Sequence, residues 1–446
     1  MHILSSLLIF LLPLLLALLN QKTFIIYILI ANGIPWSIFS KGEALLQSLE
    51  GMGSGSIQLF GTLGGALILL SFGKSNVISD VLRYPVQLLF FFFCILSIFW
   101  APNFVFSLRM LAKLLSPFIF LLIAHLMIVD NINTVTIEKA TFIGLLILLF
   151  VALLNHFTGF LGDASTDEWR VKNILTAPFH SPAPFSFSMA CGAMLSLANY
   201  ISDRRKTYLL LFAIFSIAVF WAFTRISIVG LIVACSVLIF LLAKSTILKV
   251  LLPVLLCLGI TVAFLNFDRL KERSFQNPSE ASLSQLMKKP GAFAKNIHTS
   301  GRTKLWEKGL KRFFHQSPII GAGLGATQGF YYEKHRGGAI HSEYLRLLCE
   351  VGITGIVLFI LAMTQYLAML LAVFRRSDSG NTFEEKFKRK YSGLAIASLI
   401  FYLITMATDN TIDYVMSLGL YTFLFIGFAL NASKQHQRLN NPGMCQ

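Results

Sequence analysis

Long apolar runs, most of them close to the length a bilayer demands, constrain this chain more than any other feature. A helix crossing the hydrocarbon core needs about 20 predominantly apolar residues. Thirteen runs approach that length, at approximately 3–19, 23–39, 57–72, 81–100, 107–129, 140–157, 183–202, 207–223, 226–243, 246–266, 351–374, 391–408 and 412–431. They lack the period-two alternation of an outer-membrane barrel strand. The expected fold is therefore all-α: a polytopic transmembrane bundle of 12–13 helices. Composition agrees, because 56% hydrophobic against 13% charged residues is outside the range of water-soluble domains.

Charge then orients the bundle. Basic residues concentrate in short loops on the cytoplasmic side of a membrane protein. Arg204 to Lys206, the segment from Arg375 to Lys390, and Lys434 with Arg438 mark that side. The loops around Arg170, at Thr224–Arg225, from 267 to 340 and at 408–411 then fall outside. Thirteen spans with a cytoplasmic C-terminus would put the N-terminus outside, so one N-terminal run of about 17 residues is expected not to span fully. The net charge of +16 is accounted for by such loops, and no nucleic-acid partner is expected. Three regions follow: N-terminal helices over 1–266, one large periplasmic loop over 267–340, and C-terminal helices with a short cytoplasmic tail over 341–446.

The 267–340 loop is too polar and too broken by Pro278, Pro290 and Pro318 to span, yet LSQLMKK and TKLWEKGLKRFF space their apolar residues as short amphipathic helices do. Its thirteen Lys/Arg against five Asp/Glu suit either a solvated surface or attraction for anionic lipid. Six cysteines occur singly, supporting neither a disulfide framework nor a zinc site. The first apolar run lacks a basic leader and a small-residue cleavage site, so no cleavable signal peptide is expected.

Few residues in this chain can carry chemistry, and those that can lie on the outer side. Arg225 interrupts an apolar run from Tyr208 to Ala243, where an arginine is costly unless it has a partner or a task. It is either a turn residue snorkelling to head groups or a phosphate ligand, for which a permanently charged fork is suited. Arg302 stands at the start of an expected short helix ending before Pro318, and the GAGLG that follows at 321–325 either offers amides to phosphate or makes turns. His341 precedes Ser342 and Glu343 at an expected helix start, with Glu343, Arg346 and Glu350 at helical spacing as a charge ladder or a site. Arg170 is a third anion contact or a loop charge. Asp409 and Asp413 flank the last outer turn as caps.

These residues carry a resemblance. A Thr224–Arg225 step opening a membrane helix, an arginine–tryptophan segment running into SPIIGAGLG, and HSEY followed by E-x-G-x-x-G resemble the O-antigen ligase superfamily, over roughly residues 140–375. The resemblance implies an inverting, metal-independent glycosyltransferase of twelve helices in the bacterial inner membrane, with no cofactor. Its donor would be an undecaprenyl-diphosphate-linked glycan and its acceptor lipid A core, met in the periplasmic leaflet among membrane lipids. The family's helix-mouth arginine corresponds to Arg225, its loop arginine to Arg302, its essential histidine to His341 and an earlier loop arginine to Arg170. Glu343 and Arg346 are the further expected substrate contacts. The apparent extra N-terminal run departs from the pattern and leaves the helix numbering open.

The chemistry agrees with that assignment. Breaking a sugar C1–diphosphate bond leaves an anion, so fixed positive charge favours the transition state. Arginine cannot take the acceptor's proton, which leaves His341 as base or acceptor-orienting group and Glu343 as second choice. A polymerase and a protein-directed oligosaccharyltransferase share this donor. A lipid-linked glycan transporter is the rival from another class, although transporters place ionisable groups at the midplane of repeated halves, and no repeat is visible here.

Overall fold

The computed structural model describes residues 21–31, 64–69, 74–126, 131–161, 172–176, 179, 181–247, 302–328, 340–377 and 383–440, with isolated positions between 249 and 277. They form an all-α, polytopic helix bundle. Its helices are α1 (Gln21–Ala31), α2 (Lys74–Val81), α3 (Pro85–Ser97), α4 (Phe104–Leu126), α5 (Asn131–Thr158), α6 (Pro182–Asp203), α7 (Lys206–Trp221), α8 (Arg225–Leu242), α9 (Arg302–Gly309), α10 (Glu343–Arg376), α11 (Phe383–Met406) and α12 (Leu420–Asn440). Among the described residues, five stretches are long and apolar enough to cross a membrane: Phe104–Leu126, Val135–Thr158, Arg225–Leu242, Glu343–Arg376 and Thr411–Asn431. Arg170, the LSQLMKK segment and most of the 267–340 loop lie outside the described residues.

The observed helices fall on the apolar runs, but three begin well before them: α5 at Asn131 rather than 140, α10 at Glu343 rather than 351 and α11 at Phe383 rather than 391. The run expected from 351 begins as helix at Glu343, because α10 carries Glu343, Arg346 and Glu350 in its first turns and buries all three. Charge hides a buried helix start from a hydropathy reading when the charges neutralise one another.

Antiparallel packing sorts the loops into two ends. Gly230 of α8 receives the Phe401 ring of α11, and Gly393 of α11 receives the Leu242 side chain of α8. Arg225, a little over a turn before Gly230, therefore lies level with the turn that follows α11. At the opposite end, Glu138 of α5 accepts from Lys390 Nζ at 2.5 Å, the Tyr391 hydroxyl at 2.6 Å and Asn199 Nδ2 at 3.1 Å. Arg389 there donates to the Leu241 carbonyl at 3.2 Å. The basic loops thus share one end of the bundle, and the candidate site residues the other.

The glycine motifs make one clamp. Inside α10 the chain breaks helical geometry at Gly352, with φ 66° and ψ −168°, a conformation that only glycine adopts without strain. The break strands backbone groups that a continuous helix would pair, and buried ones must find partners elsewhere. The 318–323 segment supplies them. Ala322 N–H donates to the Cys349 carbonyl at 2.9 Å and Gly323 N–H to the Glu350 carbonyl at 2.8 Å. In return Ile353 N–H donates to the Pro318 carbonyl at 2.9 Å and Thr354 N–H to the Ile319 carbonyl at 3.1 Å. The backbones approach so closely that a Cβ on Gly352 would lie 2.4 Å from the Ile319 oxygen.

Gly352→Ala should therefore destabilise the protein, roughly 1–3 kcal/mol coming from the backbone conformation alone and more from the clash. Thermal unfolding of detergent-purified protein measures it. Gly259→Ala, where an added Cβ meets nothing within 4 Å among the described residues, is the control and should not lower the midpoint.

Candidate functional site

The residues that follow α11 organise the site. The chain turns through Ala407–Asn410, winds a short 3-10 helix over Thr411–Tyr414, continues as a wide turn of helix over Val415–Gly419, and enters α12. Four residues of this turn reach the singled-out residues. The Thr408 carbonyl accepts from the guanidinium of Arg302. Asn410 Oδ1 accepts the His341 backbone N–H at 3.1 Å, and its Nδ2 lies 3.4 Å from His341 Nδ1. Ile412 N–H donates to Glu343 at 3.0 Å, and Asp413 accepts from Arg346 at 3.1 Å and from Lys113 of α4 at 2.6 Å.

Arg302 opens α9, which a wide helical turn extends through Phe314, as the TKLWEKGLKRFF spacing predicts. Trp306 Nε1 donates to the Ile340 carbonyl at 2.8 Å, tying this helix to the residue before the histidine. Beneath it Phe313, Ala326, Ile340 and Cys349 form a small apolar cluster with Leu305, Leu310, Phe314 and Leu345. Arg302 is held against the bundle by apolar packing on one side and the Thr408 carbonyl on the other.

His341 sits in the left-handed region at φ 52°, uncommon for a non-glycine residue. Ser342 then caps α10, its hydroxyl accepting from Leu345 N–H at 3.5 Å. Burial, and next the positive charge of Arg302, lower the His341 pKa to about 4, with Asp413 opposing. The ring is neutral at neutral pH. Burial raises the Asp409 pKa from its ordinary value, against the pull of Arg302.

Arg225 is the first residue of α8, half-buried, behind Phe223 at φ 49°. For a bulky side chain that backbone conformation is strained, and such strain concentrates at functional sites. Ser227 Oγ, two residues on, lies 2.6 Å from Ser186 Oγ of α6 and fixes the helix start.

Glu343 and Arg346 lie deeper than His341. The Arg346 guanidinium meets Asp413 at 3.1 Å, Glu343 and Glu350 at 3.5 Å each, and Gln328 at 3.4 Å. These two residues face protein partners and support the site from beneath. Glu350 in turn accepts Gly325 N–H at 2.8 Å, Thr327 N–H at 3.3 Å and the Thr327 hydroxyl at 2.5 Å. Amides at 321, 322, 323 and 325 of the GAGLG loop are thus engaged within the protein; of the two readings of that loop, the structure takes the turn.

The structure brings His341 and Arg302 onto one turn and sets Arg225 at the same end of the bundle. Sequence reasoning missed Asn410, Thr408, Asp413 as a network member, and Lys113. The signal was present in the run of polar groups from Asp409 to Asp413 between two apolar segments, because ionisable groups at such depth are rare without a role.

Compared with known proteins, residues 210–360 match the O-antigen ligase family model. The matched stretch holds Arg225, Arg302, the GAGLG loop, His341 and the Gly352 break. No match is found among curated proteins.

Arg346→Met should remove the cation shared by Glu343, Glu350 and Asp413. Stripping one partner from a buried ion network costs about 3–5 kcal/mol, so a large fall in the thermal midpoint is expected. A midpoint equal to wild type would show that the network adds nothing to stability.

Proposed function

We propose that this protein of the O-antigen ligase superfamily transfers a glycan from an undecaprenyl-diphosphate carrier to lipid A core at the periplasmic face of the bacterial inner membrane. The family match supports an enzyme of the glycan ligase and polymerase kind. The observation that carries the finer reading is the convergence of Arg302 and His341 on the 408–410 segment, at the end of the bundle where Arg225 opens α8.

In this reading the two guanidiniums hold the diphosphate. Each can bind phosphate oxygens in pairs, so positive charge stands where negative charge develops as the C1–oxygen bond breaks. Inversion follows from attack on C1 opposite the departing diphosphate. His341, neutral at neutral pH, faces the acceptor hydroxyl as its base or its orienting group. Glu343 and Arg346 hold the turn and the start of α10, and so the spacing of the groups above them. Arg170 adds a further anion contact from the earlier outer loop.

The same donor serves polymerases and protein-directed oligosaccharyltransferases, so the acceptor decides among them. Purified protein given undecaprenyl-diphosphate glycan should glycosylate lipid A core in preference to a second donor molecule or a pilin-like protein. Transfer without any membrane gradient separates this activity from transport.

Arg225→Ala should abolish transfer while the protein still accumulates in the membrane. Arg302→Lys should impair it strongly, because lysine keeps the charge and loses the fork; unchanged kinetics would reduce Arg302 to a structural tie of Thr408. His341→Asn is the stricter histidine test, since asparagine tolerates the left-handed backbone at that position. Normal surface glycan in cells carrying it would remove His341 from the reaction.

A further inference from the structure

We propose that Asn410 is a positioning residue that decides which ring nitrogen of His341 carries the proton, so that the neutral imidazole meets substrate as an Nε2–H donor. The inference deepens the glycosyl-transfer reading, and its activity test rests on that reading.

The assignment follows from what each atom can do. A backbone N–H only donates, so the atom 3.1 Å from His341 N is the carbonyl oxygen of Asn410. The planar amide then turns its NH2 toward the ring, 3.4 Å from Nδ1. An amide NH2 also only donates, so Nδ1 is the acceptor and, in a neutral imidazole, Nε2 bears the hydrogen. The described residues give Nε2 no hydrogen-bond partner, which leaves that end of the ring for substrate.

Asn410 is itself fixed. It is buried, its N–H donates to Asp409 Oδ1 at 2.8 Å, and its carbonyl accepts Asp413 N–H at 3.0 Å. The charged groups around His341 are Arg302 from α9, Asp409 and Asp413 from the turn, and Glu343 from α10. Of these, Asp413 and Glu343 are engaged with Arg346, and neither carboxylate takes Nδ1.

The consequence for the transfer step is specific. The C1–oxygen bond to the diphosphate breaks as the acceptor oxygen bonds to C1 from the opposite face; the diphosphate leaves as an anion on the guanidinium side, and the acceptor's proton is lost to water on the attacking side. His341 gives an Nε2–H hydrogen bond to a substrate oxygen throughout and is not itself protonated.

Histidine-labelled full-length protein, with the His341 signals assigned by difference against His341→Asn, reports the tautomer through its 15N shifts at neutral pH. The expected form is Nε2–H; an Nδ1–H ring overturns the proposal whether or not the protein proves to be a transferase. Asn410→Asp keeps an acceptor for the His341 N–H and cannot donate to Nδ1, so it should invert the tautomer. With undecaprenyl-diphosphate glycan and lipid A core as substrates, its transfer at pH 7 should fall at least about tenfold, tautomer errors being costly at such rings. Activity should recover as the pH is lowered and the imidazolium regains an Nε2 proton. Undiminished or faster transfer at pH 7 overturns the proposal, because an aspartate behind the ring improves a base and removes a donor. Absence of transfer by the wild-type protein would instead overturn the glycosyl-transfer reading and leave the tautomer result standing.

Discussion

A single buried guanidinium holds one end of this bundle together. Arg346 is 3% exposed and shared among Asp413, Glu343 and Glu350. Each carboxylate belongs to a different piece of architecture through its other bonds: Asp413 reaches Lys113 on α4, Glu343 receives the amide of Ile412, and Glu350 gathers the amides of Gly325 and Thr327. Such an arrangement is stable only as a set, because isolated charges at this depth carry a desolvation cost of several kcal/mol each. It joins α4, the glycine loop, α10 and the 408–414 turn in one fixed relation.

The groups above depend on that relation. Asn410 can meet both the backbone and the ring of His341 only because its neighbours in the turn are tied at Ile412 and Asp413. Arg302 reaches the same turn through Thr408, and Trp306 binds its helix to Ile340. Rigidity of this kind keeps donors prearranged, so that they need no reorganisation when charge develops. The unfavourable backbone at His341 and Phe223 fits the same pattern, strain being held where surrounding structure over-determines it.

The helices themselves were legible, and for a simple reason: in a bilayer each span must be apolar and internally hydrogen-bonded, so hydropathy marks it directly. The observed α4, α6, α7 and α8 begin and end within a few residues of their apolar runs. The start of α10 was not legible in this way. Glu343, Arg346 and Glu350 read as a surface ladder, whereas they point inward at charges supplied by residues far away in sequence. The 408–413 turn was obscured for the opposite reason, since aspartates beside a helix commonly do nothing more than cap it.

The sequence by itself determined the membrane-spanning class and the sharing of one end by Arg225, Arg302 and His341. These are local properties, set by side-chain polarity and charge sidedness. Only the tertiary structure decided which charges are paired with each other, as Arg346 is with Asp413, Glu343 and Glu350. That partition depends on distances between residues hundreds of positions apart, such as Lys113 and Asp413, and on which way a planar amide faces. It is there that His341 acquires Asn410 as a neighbour to both its backbone and its ring.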